Sequence, residues 1–472
     1  MARILFVQLQ QFPFPGLYYI CGALRSSGHE YRVLPTNRFG TIKKHIHTFR
    51  PDLIGFPCMS GMHREILRIA SQIKNTFPNT RIILGGIHPT IHPEIINDPN
   101  IDFICRGEGE WAVVELLNCI DDRVSNVNIP NISYKENGNV FHNNMRPLVD
   151  PLDKLPFPDY SIYQSTPVIA ADTYPAVFMT RGCPFSCTYC HNSNQKKIYN
   201  GLGKYVRSFS IERILSEVEA ALHHYPNAMA VLLGADTLGS DLDWISNLLT
   251  KYHSRFGVPY TCLIRPEFIN EELAIILKDT NCHMIAFGIE SGSERVRKEL
   301  LRRMYTNQEI VYAASLLKKY GISFRTYNII GFPTETKEEM LSTLELNCQI
   351  RPDYPWCSIF TPYPETKLSE FSIAQGYLAK DFTYDDIPTS FFNDTILKKV
   401  DRNFILNIHS FFQIVVLYPF LFPLSKYILS MPHNRLFRLI FKAVYSYVCI
   451  KSERRSLFSY LRLALANRKL FR

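Results

Sequence analysis

The feature that most constrains this fold is a rhythm. Short apolar runs alternate with helical patterns in two long blocks, and a proline-broken interval separates them. Such alternation is how a parallel sheet covered by helices reads in sequence. In the first block, Arg3 to Leu9, Tyr31 to Leu34, Asp52 to Phe56, Arg81 to Leu84 and Asp102 to Cys105 are predicted strands, with helices over Gly16 to Ser26 and His63 to Thr76. Arg106-Gly107-Glu108-Gly109-Glu110 opens the next helix with acidic residues suited to its N-terminal dipole. This order predicts an open α/β sheet of Rossmann or flavodoxin type over residues 1–140, with its ligand beyond the carboxyl ends of the strands.

Pro147, Pro151, Pro156, Pro158 and Pro167 then break any periodicity, and residues 141–172 read as a linker. In the second block the predicted strands are Ala176 to Thr180, Ala230 to Leu233, Tyr260 to Ile264, Met284 to Ile289, Ser323 to Ile330 and Cys357 to Thr361. Helices such as Ile211 to His223 and Asn307 to Tyr320 fall between them. The pattern predicts a partial (βα)6 barrel of TIM type over residues 173–375, with its chemistry where strands end and loops begin. At 472 residues with 46% hydrophobic content, the chain exceeds a single core and is too apolar for disorder.

Residues 376–472 are expected to form a basic, apolar, helical region. From Lys398 to Arg472, fourteen Lys or Arg face only Asp401 and Glu453, so the net charge of +9 belongs to this tail. An anionic partner such as a membrane surface or a nucleic acid would dock there. The run Phe404 to Leu429 is interrupted by Asn407, His409, Gln413, Pro419, Pro423 and Lys426. It lacks the roughly 20 uninterrupted apolar residues of a membrane span. Two short helices, in a membrane interface or packed on the barrel, are expected instead. Arg435 to Lys442 places bases at helical spacing among apolar residues, as interfacial helices do.

The N-terminal apolar run Ile4 to Val7 is too short for a signal peptide, so a cytoplasmic protein is expected, peripheral at the inner face of the membrane. Twelve cysteines in a reducing compartment argue against a disulfide framework and for a metal on a clustered subset.

That subset is in Arg181-Gly182-Cys183-Pro184-Phe185-Ser186-Cys187-Thr188-Tyr189-Cys190-His191, directly after a predicted strand. Thiolates ligate iron-sulfur clusters, and three of them on a cubane of four irons leave one iron open to a ligand. Structural zinc is the competing reading. It requires four closed ligands, and the fourth here, His191, abuts Cys190.

Cys183-x-x-x-Cys187-x-x-Cys190 with Tyr189 before the last cysteine resembles the radical S-adenosylmethionine superfamily. Gly288-Ile289-Glu290-Ser291-Gly292-Ser293 resembles its fourth-strand motif and Ile329-Ile330-Gly331-Phe332-Pro333-Thr334-Glu335-Thr336 its fifth. Thr361-Pro362-Tyr363-Pro364-Glu365-Thr366 resembles the sixth-strand turn, with Glu365 where the family usually has Gly. The resemblance implies that Cys183, Cys187 and Cys190 ligate a 4Fe-4S cluster and that the Tyr189 region contacts adenine. It also implies that Glu290 and Arg265 serve the ribose and methionine portions, and that Gly331, Phe332 and Pro333 pack on adenine. At the second strand the chain departs from the family's paired acids or Gly-Gly-Glu. It has Gly234-Ala235-Asp236-Thr237, leaving Asp236 as the candidate. Each residue also has a plainer reading: Glu290 as a helix cap, Arg265 as a surface ion pair, Tyr189 as core.

The first block resembles the cobalamin-binding domain that precedes the radical module in one subgroup. Pro15 to Ile20, Gly28-His29-Glu30, Met59-Ser60-Gly61, Leu84 to Thr90 and Arg106 to Glu110 carry that resemblance. Ser60, Gly85 and Gly86 are its cofactor-contact candidates; Gly85-Gly86 would let a flat macrocycle approach the backbone, although a plain strand-to-helix turn reads the same. The loop Gln8 to Pro13 holds no histidine for cobalt. Either cobalamin binds without a protein ligand to the metal or the domain has lost it, and His88 is a candidate ligand that reads first as a turn residue.

The resemblance implies an enzyme in which a cluster electron cleaves S-adenosylmethionine to a deoxyadenosyl radical that attacks an unactivated carbon. Methylation, cyclisation and oxidation are the outcomes it allows. The substrate is expected to be a small or lipid-like molecule and the electron donor a flavodoxin or ferredoxin, with no nucleic acid involved. A radical RNA methylthiotransferase is the alternative, but its second cluster needs cysteines that Cys21, Cys58, Cys105 and Cys119 do not cluster to provide. The other alternative is a non-catalytic zinc-stabilised module.

Overall fold

The computed structural model describes residues 1–122, 127–171, 173–388, 390, 392–453 and 457–466. Their contacts divide the chain into two units. The first takes in residues 1–171, 194–226 and 462–466, and the second residues 173–193 and 227–461.

In the first unit, seven strands form one sheet in the spatial order Glu30–Pro35, Arg3–Gln8, Leu53–Pro57, Arg81–Gly85, Phe103–Cys105, Ile132–Glu136, Asn139–His142. The first five are parallel and the last two add an antiparallel hairpin at the edge. The N-terminal strand explains why the sheet reads as continuous apolar runs. Its alternate residues face opposite ways: Ile4 and Phe6 join Leu17, Cys21 and Leu116 of one helical layer, while Leu5 and Val7 join Ile42, Ile66 and Ile69 of the other. Strand order reverses between Arg3–Gln8 and Leu53–Pro57, which is the ligand position of such sheets.

The proline-broken interval is well packed. It makes short turns at Leu152–Lys154 and Tyr160–Tyr163 and a one-turn helix at Pro167–Ala170. Tyr163 donates from its hydroxyl to Gln8 Oε1 at 2.6 Å, and the Phe157 carbonyl lies so close to Gly22 that a Cβ there would meet it at 2.0 Å. The helix Ile211–His224 groups with this unit, where Glu217 accepts from Tyr19 at 2.7 Å and from Arg213 at 2.6 Å.

The second unit is an arc of six parallel strands in chain order: Ala176–Phe178, Val231–Leu238, Tyr260–Ile264, Cys282–Glu290, Ser323–Ile330 and Tyr354–Ile359, called here the first to sixth barrel strands. Strict alternation on the fifth strand separates its two faces. Phe324, Thr326, Asn328 and Ile330 are buried, and Thr326 and Asn328 bond to Asn347 of the covering helix Lys337–Ile350. Arg325, Tyr327 and Ile329 therefore face the concave side.

In the tail, the helix Arg402–Leu417 packs on the barrel. Phe404, Ile405, Ile408 and Phe412 meet Leu344, Cys357 and Ile359, and Gln413 donates to the Pro355 carbonyl at 2.9 Å. Its apolar run is explained by burial on nearly every side. The helices Phe422–Leu429, Arg435–Ser452 and Leu457–Ala466 follow. Among the described residues, no helix is long and apolar enough to cross a membrane.

Candidate active site at the strand ends

The loop with the three cysteines leaves the first barrel strand and is tied down from several sides. Thr188 donates from its hydroxyl to the Leu300 carbonyl at 2.6 Å, and its own carbonyl accepts the Leu368 N–H at 3.1 Å. Asp236, at the end of the second strand, accepts from the Gly182 N–H and the Asn192 side chain, so it holds the loop that carries Cys183. Desolvation lifts the Asp236 carboxyl above its ordinary pKa, and these two hydrogen bonds oppose the rise.

Cys187 is buried and Cys183 and Cys190 are partly so. Burial raises the Cys183 thiol and pushes Cys190 up to about 11, with the neighbouring thiols adding to both effects. The three sulfurs thus share one electrostatic neighbourhood. Among the described residues, however, no three His, Cys, Asp or Glu side chains stand in metal-ligating geometry. His191 is turned against the Tyr363 ring, 4.2 Å between centroids, and burial lowers its pKa to about 4.

Glu290 ends the fourth strand with φ at +64°, a conformation that costs a non-glycine residue energy and that concentrates at functional sites. Its two flanking glycines have distinct steric reasons. A Cβ on Gly288 would meet Glu290 Oε1 at 2.3 Å, and one on Gly292 would meet the Ser342 carbonyl oxygen at 2.3 Å. The sequence motif is therefore a space for the carboxylate followed by a close approach to the covering helix.

Arg303 joins these parts, and no local sequence signal marks it. Its Nη1 donates to Glu290 at 2.9 Å and to the Tyr189 hydroxyl at 3.0 Å, while Nε donates to the Tyr305 hydroxyl at 2.6 Å. Tyr305 in turn donates to the Gly288 carbonyl at 2.6 Å. Burial works against the Arg303 charge, but Tyr189, Tyr305 and Glu290 outweigh it and hold the guanidinium protonated.

Arg265, after the third strand, lies 3.5 Å above the Phe185 ring of the cysteine loop and donates to Glu267 at 2.6 Å. It is buried and not a surface ion pair. Phe332 sets its ring 6.4 Å from Tyr189 in an edge contact. Gly331, at φ +79°, and Phe332 give their N–H groups to Glu335 at 2.7 and 3.0 Å. Glu335 also lines a cavity of about 250 Å³ with Lys337, Tyr377 and Lys399. Pro333 follows in the same buried turn. Glu365 takes φ +63°, which explains why a glycine would be at ease there.

In the first unit, Gly86 adopts φ +102° and lies against Cys58, whose carbonyl oxygen a Cβ would meet at 3.0 Å. Gly85 has room on its Cα side. Ser60 pairs its hydroxyl with His88 Nδ1 at 3.1 Å, and His88 is fully buried against His63, 4.3 Å between ring centroids. Gln8 spends its side chain on the carbonyls of Gln10 and Phe12.

Two family models match the chain: the radical SAM superfamily over residues 177–346 and the B12 binding domain over residues 8–117. An uncharacterized methyltransferase of Pyrococcus horikoshii is 32% identical over 371 residues, 77% of this chain and 79% of that protein. The chain belongs to the cobalamin-binding radical SAM superfamily. The anaerobic magnesium-protoporphyrin IX monomethyl ester cyclase of Rubrivivax gelatinosus is 24% identical, over 74% of this chain and 64% of its own length. The cobalamin-dependent S-adenosylmethionine radical enzyme OxsB shares the fold, with a TM-score of 0.69, 16% identity and coverage of 98% of this chain and 72% of its own.

As a radical SAM enzyme the protein works with a 4Fe-4S cluster, S-adenosylmethionine and cobalamin. The strand ends suit such guests. Thr180 Oγ1, Thr237 Oγ1 and His191 Nδ1, all beside the cysteine loop or Asp236, are buried with no hydrogen-bond partner among the described residues. Each such atom costs about 1–3 kcal/mol, which a polar occupant would offset. In the first unit, Gly85 and Gly86 put bare backbone at the end of a central strand, which suits close approach of a flat macrocycle, while the His88 imidazole beside them is buried against His63.

Proposed function

We propose that this enzyme methylates, cyclises or oxidises an unactivated carbon of a hydrophobic small molecule. In this reading Cys183, Cys187 and Cys190 hold the cluster, and Tyr189, Asp236, Arg265, Glu290, Gly331, Phe332 and Pro333 hold S-adenosylmethionine. Ser60, Gly85 and Gly86 border the corrinoid. When bound, the cluster supplies the electron that cleaves the sulfonium and cobalamin supplies methyl-transfer or radical chemistry.

The observation that carries the reading is the buried Arg303, which bonds at once to the cysteine-loop residue Tyr189 and to Glu290 of the fourth strand. It fixes the loop to the strand end, so a cofactor spanning both would meet a preset geometry. Arg265 over Phe185 adds a second clamp on the same loop. The concave side supports a substrate inside the arc. Side chains inside a closed barrel fill it, yet here Leu232, Leu263, Tyr327 and Trp356 keep solvent access. A flavodoxin or ferredoxin delivers the electron, and the C-terminal region attaches the enzyme peripherally to a membrane, where an apolar substrate would be found.

Anaerobic reconstitution tests the reading. The native protein should bind about four irons per chain and convert S-adenosylmethionine to deoxyadenosine with dithionite. Cys183→Ala, Cys187→Ala and Cys190→Ala should each abolish that product. Unchanged deoxyadenosine in any of the three overturns the assignment, and about eight irons would favour a methylthiotransferase.

A further inference from the structure

The helix Arg435–Ser452 packs inward through Phe437, whose ring is 4.8 Å from Phe411, and through Tyr445, 5.1 Å from Trp356. Its other face is apolar and open. Leu436 and Leu439 are each 62% exposed and Tyr447 is 49% exposed, with Ala443 between them. At 100° per residue these four form one stripe. Arg435, Arg438 and Lys442 run along one side of it and Lys451 along the other, all exposed.

This is a regional property. Of the 20 large apolar residues exposed among the described residues, 12 lie between Tyr418 and Leu465. Phe420, Leu424 and Tyr427, spaced four and three apart beside Lys426, present a second such face. Between Arg402 and Ser452 there are six Lys or Arg and not one Asp or Glu. Contiguous exposed apolar surface marks an interaction site.

We infer that the Leu436–Leu439–Ala443–Tyr447 face docks in the surface of an anionic lipid bilayer. The proposal deepens the peripheral attachment proposed above and is independent of the reaction. Charge chooses the occupant. A second copy of the chain, paired through the same patch, would set Arg435, Arg438 and Lys442 against their own kind. An anionic headgroup layer instead neutralises the bases while the leucines enter the acyl boundary and the tyrosines remain at the headgroups. The helix lies in the surface, since it is not apolar enough to cross.

The experiment is flotation of the full-length protein with vesicles of phosphatidylglycerol and phosphatidylcholine, or of phosphatidylcholine alone. Native protein should float with the anionic vesicles at least tenfold better than with the neutral ones, and added salt should weaken it. Leu436→Glu with Leu439→Glu, and separately Arg435→Glu with Arg438→Glu, should each lower flotation at least tenfold. Both pairs are exposed, and an unchanged melting curve shows that each variant folds. Flotation equal to native in either pair, or none by the native protein, overturns the proposal. So does a dimer in light scattering that either pair dissolves. Deoxyadenosine formation without vesicles is read in parallel, so a failure of the reaction and a failure of the surface are seen separately.

Discussion

Arg303 and Glu290 form a buried ion pair at 2.9 Å, with their side chains only 10% and 9% exposed. Removing one partner from such a pair leaves the other charge uncompensated, at a cost of about 3–5 kcal/mol. Arg303→Met should therefore lower the melting temperature sharply, and the double variant Arg303→Met with Glu290→Gln should recover part of the loss. Arg303→Lys should not rescue it, because one ammonium cannot reach Glu290, Tyr189 and Tyr305 in the planar fork that the guanidinium provides. Thermal melts of the three variants decide this. A double variant no more stable than the single one would show that the pair is not the source of the loss.

The two glycines of the fourth-strand motif should respond differently to alanine. At Gly292 the obstacle is the Ser342 carbonyl, which belongs to a packed helix and cannot rotate away. Overpacking of this kind costs about 1–3 kcal/mol, so Gly292→Ala should chiefly lower stability. At Gly288 the obstacle is the Glu290 carboxylate itself. Gly288→Ala should displace that side chain, raising the KM for S-adenosylmethionine with a smaller change in melting temperature. Equal effects of the two substitutions on both measurements would refute this division.

The parallel strands were legible because strands buried on both faces, such as Arg3–Gln8, run as unbroken apolar segments that turn residues punctuate. The cysteine loop and the Gly288-x-Glu290 motif were legible because each places special residues at fixed offsets. Arg303 was not. It lies on an irregular connection, and its role exists only once Tyr189 and Glu290 converge from residues 114 and 13 positions away. The helix Ile211–His224 was legible as a helix, but an amphipathic pattern does not say which sheet it will cover. The hairpin Ile132–Glu136 with Asn139–His142 is weakly marked in the sequence because three of the four residues of its edge strand, Asn139, Phe141 and His142, are exposed, which leaves no apolar alternation to read.

His88 is a packing residue in this structure, fully buried with Nδ1 engaged by Ser60 and its ring stacked on His63. His88→Ala should lower the melting temperature through the cavity it leaves. The spectrum of bound cob(II)alamin should nevertheless be the same in the variant and the native protein. Nitrogen hyperfine splitting in the native electron paramagnetic resonance spectrum, lost in His88→Ala, would instead make His88 a cobalt ligand.

Glu335 gives the fold a pH dependence of unusual sign for a carboxylate. Burial raises its pKa from the ordinary 4.5 to about 8, against the opposing hydrogen bonds from Phe332, Gly331 and Ser291. Between those two values the folded chain holds a proton that the unfolded chain has released. Stability must therefore fall as pH rises through that window. Most paired carboxylates do the reverse. His409, which burial lowers to about 3, acts oppositely, but only below its ordinary value of 6.5. The range from pH 6.5 to 8.5 thus isolates Glu335 from that histidine. Glu335→Gln keeps a carbonyl that can accept the Gly331 and Phe332 N–H groups but has no proton to lose. Urea midpoints of the native protein should decline across that range, while those of the variant should stay flatter. Parallel curves would show that the native carboxyl is already ionised there and does not set the pH response of the loop it holds.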